Sequence, residues 1–188
     1  MGKDIYACFI DYEKACVRVS HEKMIKCLKE IGLNGKDIKL IVNLYWTQKA
    51  DIQLEQDISG EIMIKRGVRQ GCVLSSCLCN LYTEMIFRHT EDIEGVIVGD
   101  PSINNLRYAD DTVLIAESEG SLQAMLDEVN EAGKTFNMKM NAKKTKTMII
   151  TKKENKPTIN ITIDGTDIEQ VTNFPNLGQN MHDRRWKM

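Results

Sequence analysis

The segment Tyr108-Ala109-Asp110-Asp111 constrains this chain more than any other. Two adjacent carboxylates stand between residues 103–108 and 112–116, both of which read as β-strands. The whole reads as a hairpin with acids at its tip. An Asp-Asp step alone is commonly just a polar turn. Here the flanks are apolar strand formers, so the acids belong to the edge of a core. Carboxylates forced side by side repel, and each raises the other's pKa unless a cation neutralises them. A hard divalent metal with oxygen ligands meets that need, and Mg²⁺ takes few protein carboxylates when a phosphate supplies the remaining oxygens. A second candidate strand, Ile5–Ile10, also ends in an acid, Asp11. Two strands delivering carboxylates to one point would build a two-metal site for phosphoryl transfer.

The other bounds are permissive. A chain of 188 residues can bury one well-formed core. Its 42% hydrophobic and 28% charged content is ordinary for a globular protein. No apolar run reaches the length of a membrane span, and the Met-Gly-Lys-Asp start lacks a signal-peptide core. The expectation is a soluble intracellular protein without membrane contact, nucleus and cytoplasm not being distinguished. The six cysteines, Cys8, Cys16, Cys27, Cys72, Cys77 and Cys79, fall within strand and helix patterns and not at disulfide or zinc spacing, so they read as buried thiols. A net charge of −2 is neutral on nucleic-acid binding, since a local basic face suffices. One candidate face holds Lys139, Lys143, Lys144, Lys146, Lys152, Lys153 and Lys156 against Glu154 alone. It reads either as a phosphate track or as a solvated surface.

Along the chain, Met24, Leu28 and Ile31 give a helix beginning near Ser20 one apolar stripe, with Gly32 as its stop. Asn34 can cap a second helix with Ile38, Ile41, Val42 and Tyr45 inward. Strands near 50–55 and 60–66 lead to the loop Gly67-Val68-Arg69-Gln70-Gly71 and a helix over about 75–89. Beyond the acidic hairpin, Leu122, Met125, Leu126, Val129 and Phe136 mark a long amphipathic helix over 119–136. Its Glu119, Asp127, Glu128 and Glu131 read as a solvated face. Strands near 145–151 and 158–163 follow, with Asp164-Gly165 a hairpin turn signal. The order predicts an α+β fold, an antiparallel sheet with helices packed on one face.

Four segments, in order, resemble the palm of a reverse transcriptase and are similar to those of non-LTR (LINE-type) retrotransposons. They are Phe9-Ile10-Asp11-Tyr12-Glu13-Lys14-Ala15, then Arg66-Gly67-Val68-Arg69-Gln70-Gly71-Cys72-Val73-Leu74-Ser75, then Tyr108-Ala109-Asp110-Asp111, then Asn141-Ala142-Lys143-Lys144-Thr145-Lys146. The resemblance implies a polymerase palm and RNA-directed DNA polymerase activity, with an RNA template, a DNA primer and deoxynucleoside triphosphates as partners; protein partners are unknown. It implies that Asp11 and Asp110 bridge two Mg²⁺ ions with Asp111 beside them, for nucleotidyl transfer to the primer 3′-hydroxyl. The Tyr12 carbonyl would add a metal ligand. Gln70 and Gly71 would lie near the nascent base pair, and Lys144 matches a lysine that could protonate pyrophosphate. Lys65, Arg66 and Arg69 would meet template phosphates.

Several positions depart from that pattern. The family usually carries Phe-Asp where this chain has Cys16-Val17, and the aromatic there resembles a gate that rejects a 2′-hydroxyl. The smaller Cys16 implies weaker discrimination against ribonucleotides. Ser76 and Cys79 stand where Pro and Phe are usual. Phe174-Pro175-Asn176-Leu177-Gly178 resembles a primer grip that has lost its lysine and second aromatic. Matched against the family, residues 1–178 read as a palm with fingers and thumb largely absent, and 179–188 as an unmatched tail. The alternative reading is a catalytically dead retrotransposon remnant, acting at most as a nucleic-acid-binding or interaction module. A nucleotide cyclase shares the palm architecture but offers no counterpart for Gly67–Ser75.

Overall fold

The computed structural model describes residues 3–54, 57–69, 71–90, 93, 95–97, 102–108, 111–153, 155–176 and 179–183. In chain order the elements are β1 (Ile5–Ile10), α1 (Ala15–Arg18), α2 (His21–Glu30), α3 (Gly35–Tyr45), β2 (Lys49–Ala50), β3 (Gln53–Leu54), β4 (Asp57–Ile58), β5 (Ile62–Met63) and α4 (Val73–Phe87). After a short 3₁₀ turn come β6 (Val96–Ile97), β7 (Ser102–Ile103), β8 (Asn105–Tyr108), β9 (Asp111–Ala116) and α5 (Glu119–Thr135). The chain continues through β10 (Lys146–Ile150), β11 (Thr162–Ile163), β12 (Thr166–Asp167), β13 (Glu169–Gln170), β14 (Asn173–Asn176) and β15 (Gln179–His182). They form two compact units, Lys14–Met85 and the rest of the chain.

The larger unit is a sheet of order β13-β10-β1-β9-β8, with β1 antiparallel to both β9 and β10. Period-2 alternation sends Ala7, Phe9, Val113 and Met148 to one face, where they pack with Ile115, Ile150, Val171, Phe174 and Met181. Phe9 stacks on Phe174 of the β14–β15 hairpin, ring centroids 4.3 Å apart. Cys8, Leu114, Ala116, Thr147 and Ile149 take the opposite face and are all but inaccessible. Helix α5 packs against β1 and β9 with Leu122, Met125, Leu126 and Val129 fully buried. Ser118 caps it by accepting from the Ser121 N–H at 3.1 Å. The helix therefore lies on one face, as expected, and a β-hairpin covers the other.

The expected turn at Asp164-Gly165 is a two-residue connection between β11 and β12 with both φ values positive, 49° and 75°, the geometry of a type I′ hairpin. On the outer face of α5, Asp127, Glu128 and Glu131 are exposed, as expected, while Glu119 is half-buried. Glu119 accepts from the Asn160 N–H at 2.9 Å, and Asn130 and Lys134 both reach Asp164. The strand expected at 103–108 is broken at Asn104. That side chain donates to the Thr90 and Ile93 carbonyls at 2.7 and 3.0 Å, so β7 pairs with β6 while β8 pairs with β9.

In the smaller unit, Ser20 caps α2 and Asn34 caps α3, the Asn34 side chain accepting from Lys36 and Asp37 N–H at 3.0 and 3.1 Å. Ile31, expected in the apolar stripe, is 43% exposed because α2 ends before it. The strands expected near 50–55 and 60–66 shrink to two-residue ladders, β2 with β5 and β3 with β4. The strand expected over 158–163 likewise shrinks to Thr162–Ile163. The thiols are not uniformly buried either: Cys77 is exposed, and Cys16 and Cys72 are partly so. Among the described residues, no helix is long and apolar enough to cross a membrane.

Candidate active site

Strand register brings two of the acids together. Ile10 on β1 pairs with Thr112 on β9, so Asp11 and Asp111 stand one step further, at the same end of adjacent strands. Tyr108 pairs with Asp111 to close the β8–β9 hairpin. Ala109 and Asp110, the hairpin's connection, lie outside the described residues, as does Gln70. Asp111 is exposed at the strand end and Asp11 is half-buried. Carboxylate oxygens so placed suit a hard divalent cation such as Mg²⁺.

The backbone of Asp11 is held from one side by the fourth motif. Its N–H donates to the Thr145 hydroxyl at 3.2 Å, and its carbonyl accepts from the Asn141 N–H at 2.8 Å. Thr145 is fully buried. One residue on, Tyr12 bridges Met140, and the Glu13 N–H donates to the Lys139 carbonyl at 2.8 Å. With bonds flanking the pair on both sides, the Tyr12 C=O is directed away from the 139–141 segment, toward the β9 side. The Tyr12 ring is buried at 7% exposure, its hydroxyl has no hydrogen-bond partner among the described residues, and burial pushes its phenol well above the ordinary range while nearby Arg107 opposes this. The Thr145 contact was not legible in sequence, since nothing in residue spacing pairs it with an N–H 134 positions earlier.

Lys144 is exposed on the turn that contacts Asp11, its N–H bonded to the Asn141 carbonyl at 3.0 Å. The basic stretch around it is largely neutralised by acids distant in sequence. Lys139 pairs with Glu13 at 3.0 Å, Lys146 with Glu169 at 2.9 Å, Lys153 with Asp4 at 2.7 Å and Lys156 with Asp183. A continuous phosphate track across all seven lysines is therefore not what the fold builds.

The remaining candidates belong to the smaller unit. The glycine loop runs beside α1, with the Gly67 N–H on the Val19 carbonyl at 2.8 Å and the Val68 N–H on the Cys16 carbonyl at 2.9 Å. Gly67 has φ 92°, and a Cβ there would lie 3.2 Å from the Val17 carbonyl oxygen, so both conformation and space select glycine. His21 Nε2 lies 2.8 Å from the Gly67 carbonyl and therefore carries the proton. Burial lowers the His21 pKa, the Gly67 hydrogen bond working against it. Lys65, Arg66 and Arg69 are exposed, as is Gly71, at φ 78°. The next residue, Cys72, meets the Tyr45 hydroxyl at 3.0 Å, which holds its thiol below the ordinary range. The Cys16 sulfur lies 3.0 Å from that of Cys79.

The family described as reverse transcriptase (RNA-dependent DNA polymerase) matches residues 1–181. The chain is 32% identical over 131 residues to the retrovirus-related Pol polyprotein from type-1 retrotransposable element R2 of Nasonia vitripennis, covering 70% of this chain and 13% of that one. It is 30% identical over 142 residues to the corresponding polyprotein from type-2 element R2DM of Drosophila melanogaster, covering 76% and 13%. The chain thus spans only a small part of these relatives. Telomerase from Candida tropicalis, in complex with a fragment of telomeric RNA, superposes with a TM-score of 0.61 at 17% identity over 89% of this chain and 29% of that one. Telomerase from Candida albicans gives 0.60 at 16% identity over 90% and 29%. At such identities the likeness is one of fold, and the fold is that of a polymerase palm. With the family match running from before β1 into β15, the chain belongs to the reverse transcriptase (RNA-dependent DNA polymerase) family, as a domain of the non-LTR retrotransposon kind.

Proposed function

We propose that this chain carries the catalytic palm of an RNA-directed DNA polymerase, over residues 1–178, adding deoxynucleotides to a primer 3′-hydroxyl on an RNA template. The observation that carries the reading is the register of β1 and β9, which sets Asp11 beside Asp111 at the strand ends where the family's catalytic acids fall. Asp11, Asp110 and Asp111 are the metal-binding carboxylates. Two Mg²⁺ ions held there would supply activation of the 3′-hydroxyl and neutralisation of the triphosphate's growing negative charge. The chain's own contribution is positioning. Thr145 and Asn141 clamp the Asp11 backbone, which fixes the point from which its carboxylate projects.

Lys144, on the same turn, is placed to give a proton to the leaving pyrophosphate. Tyr12 offers its backbone carbonyl and not its buried hydroxyl. Cys16, Gln70 and Gly71 contact the incoming nucleotide, and Lys65, Arg66 and Arg69 hold nucleic-acid phosphates, positioning without reading sequence. The relatives named above are retrotransposon polyproteins and RNA-bound telomerases, which supports an RNA template here. The test is primer extension by the purified protein on an RNA template with deoxynucleotides and Mg²⁺, beside Asp110→Asn. Extension abolished by the substitution supports the reading. Equal extension by both proteins, or none by a folded wild-type chain, overturns it.

A further inference from the structure

We infer that Cys16 and Cys79 are a built dithiol that closes to a disulfide under mild oxidation. The two sulfurs are 3.0 Å apart, nearer than simple van der Waals contact of two sulfur atoms. A disulfide needs them at about 2.05 Å, so closure requires a movement of about one ångström. Both backbones are held in place by other contacts. Cys16 lies in α1 and its carbonyl accepts from the Val68 N–H at 2.9 Å. Cys79 lies in the second turn of α4 and its carbonyl accepts from the Thr83 hydroxyl at 3.2 Å. The pair therefore meets through the fold and not through a flexible loop, although 63 positions separate the two residues.

The asymmetry of exposure sets the order of events. Cys16 is partly accessible while Cys79 is 8% exposed. A small-molecule disulfide such as oxidised glutathione is the oxidant. The Cys16 thiolate attacks one of its sulfurs, forming a mixed disulfide and expelling one glutathione thiolate. The Cys79 thiol then loses its proton and attacks the Cys16 sulfur, expelling the second glutathione. Two protein thiols and one exogenous disulfide become one protein disulfide and two small thiols, so hydrogen and electrons balance. The bridge would tie α1 to α4 within the smaller unit and restrain the unfolded chain through a long loop. It is independent of polymerase activity, and a chain unable to extend a primer would still form it.

The test uses the wild-type chain, incubated across glutathione redox buffers, acid-quenched, alkylated and mapped by mass spectrometry. The expected product has lost two hydrogens and yields a Cys16–Cys79 linked peptide ahead of any other linkage. Its urea midpoint should rise on oxidation and return with dithiothreitol. Cys79→Ser should instead accumulate a glutathione adduct on Cys16. Two results overturn the inference. One is alkylation of Cys16 and Cys79 undiminished in buffers that oxidise exposed Cys77. The other is a first disulfide that joins Cys16 to any other partner.

Discussion

Removing the Thr145 hydroxyl should damage both stability and catalysis, because that hydroxyl receives the N–H of Asp11, proposed above as a metal-binding carboxylate. Valine at this position keeps the shape of threonine and fits a fully buried site, so little cavity is created. What is lost is the acceptor for the Asp11 N–H at 3.2 Å. Leaving a partly buried donor unpaired costs about 1–3 kcal/mol. With a urea m-value of about 2 kcal/mol/M, Thr145→Val should lower the unfolding midpoint by about 0.5–1.5 M. Asp11 would also lose one of the two bonds that hold its backbone, and a misplacement approaching 1 Å can cost about 100-fold in rate. Turnover should therefore fall more than primer affinity does. Thr145→Ser restores the acceptor and should recover most of both losses. Urea titration and single-nucleotide addition measure the two effects. A Thr145→Val protein as stable and as active as the wild type, or a serine variant no better than the valine one, would refute the clamp.

Three further outcomes follow from other contacts. His21 has its folded pKa lowered from the ordinary 6.5, chiefly by burial. The folded state thus resists protonation, so stability is highest above pH 6.5 and declines as pH falls from there to the folded value. His21→Gln should flatten that slope, and parallel pH slopes in the two proteins would count against the assignment. Gly67→Ala should cost about 1–3 kcal/mol, since φ 92° is strained for alanine and the new Cβ meets the Val17 carbonyl at 3.2 Å; a thermal midpoint equal to wild type would contradict this. Phe174→Ala should cost about 2–3 kcal/mol, less than the 3–5 of a fully buried ring, by exposing Phe9. Chemical denaturation checks it, and a loss below ~0.5 kcal/mol would mean that the stacked pair does not hold the hairpin.

Legibility in the sequence followed the range of the interaction. The Asn34 cap, the Asp164-Gly165 turn and the buried stripe of α5 depend on residues within a few positions of one another, and each stands where local chemistry put it. Asp11 and Asp111 were legible as acids at the ends of apolar strands, whereas the β1–β9 register that sets them side by side is tertiary. Ile31 failed because helical periodicity does not say where the helix stops. Asn104 failed because its partners, the Thr90 and Ile93 carbonyls, exist only once the preceding turn has folded. The lysines from 139 to 156 looked like one basic face because their acids lie elsewhere in the sequence, Asp4 being 149 positions from Lys153. Thr145 and the Cys16–Cys79 pair are tertiary in the same sense.

The most direct test of the central claim is the Mg²⁺ dependence of single-turnover nucleotide addition, in wild type and Asp11→Asn. Two ions held by Asp11, Asp110 and Asp111 predict a rate that rises more steeply than first order at low Mg²⁺, and at least about a 1,000-fold loss (~4 kcal/mol) in the variant. Addition that needs no Mg²⁺, or that proceeds at the wild-type rate in Asp11→Asn, would contradict it.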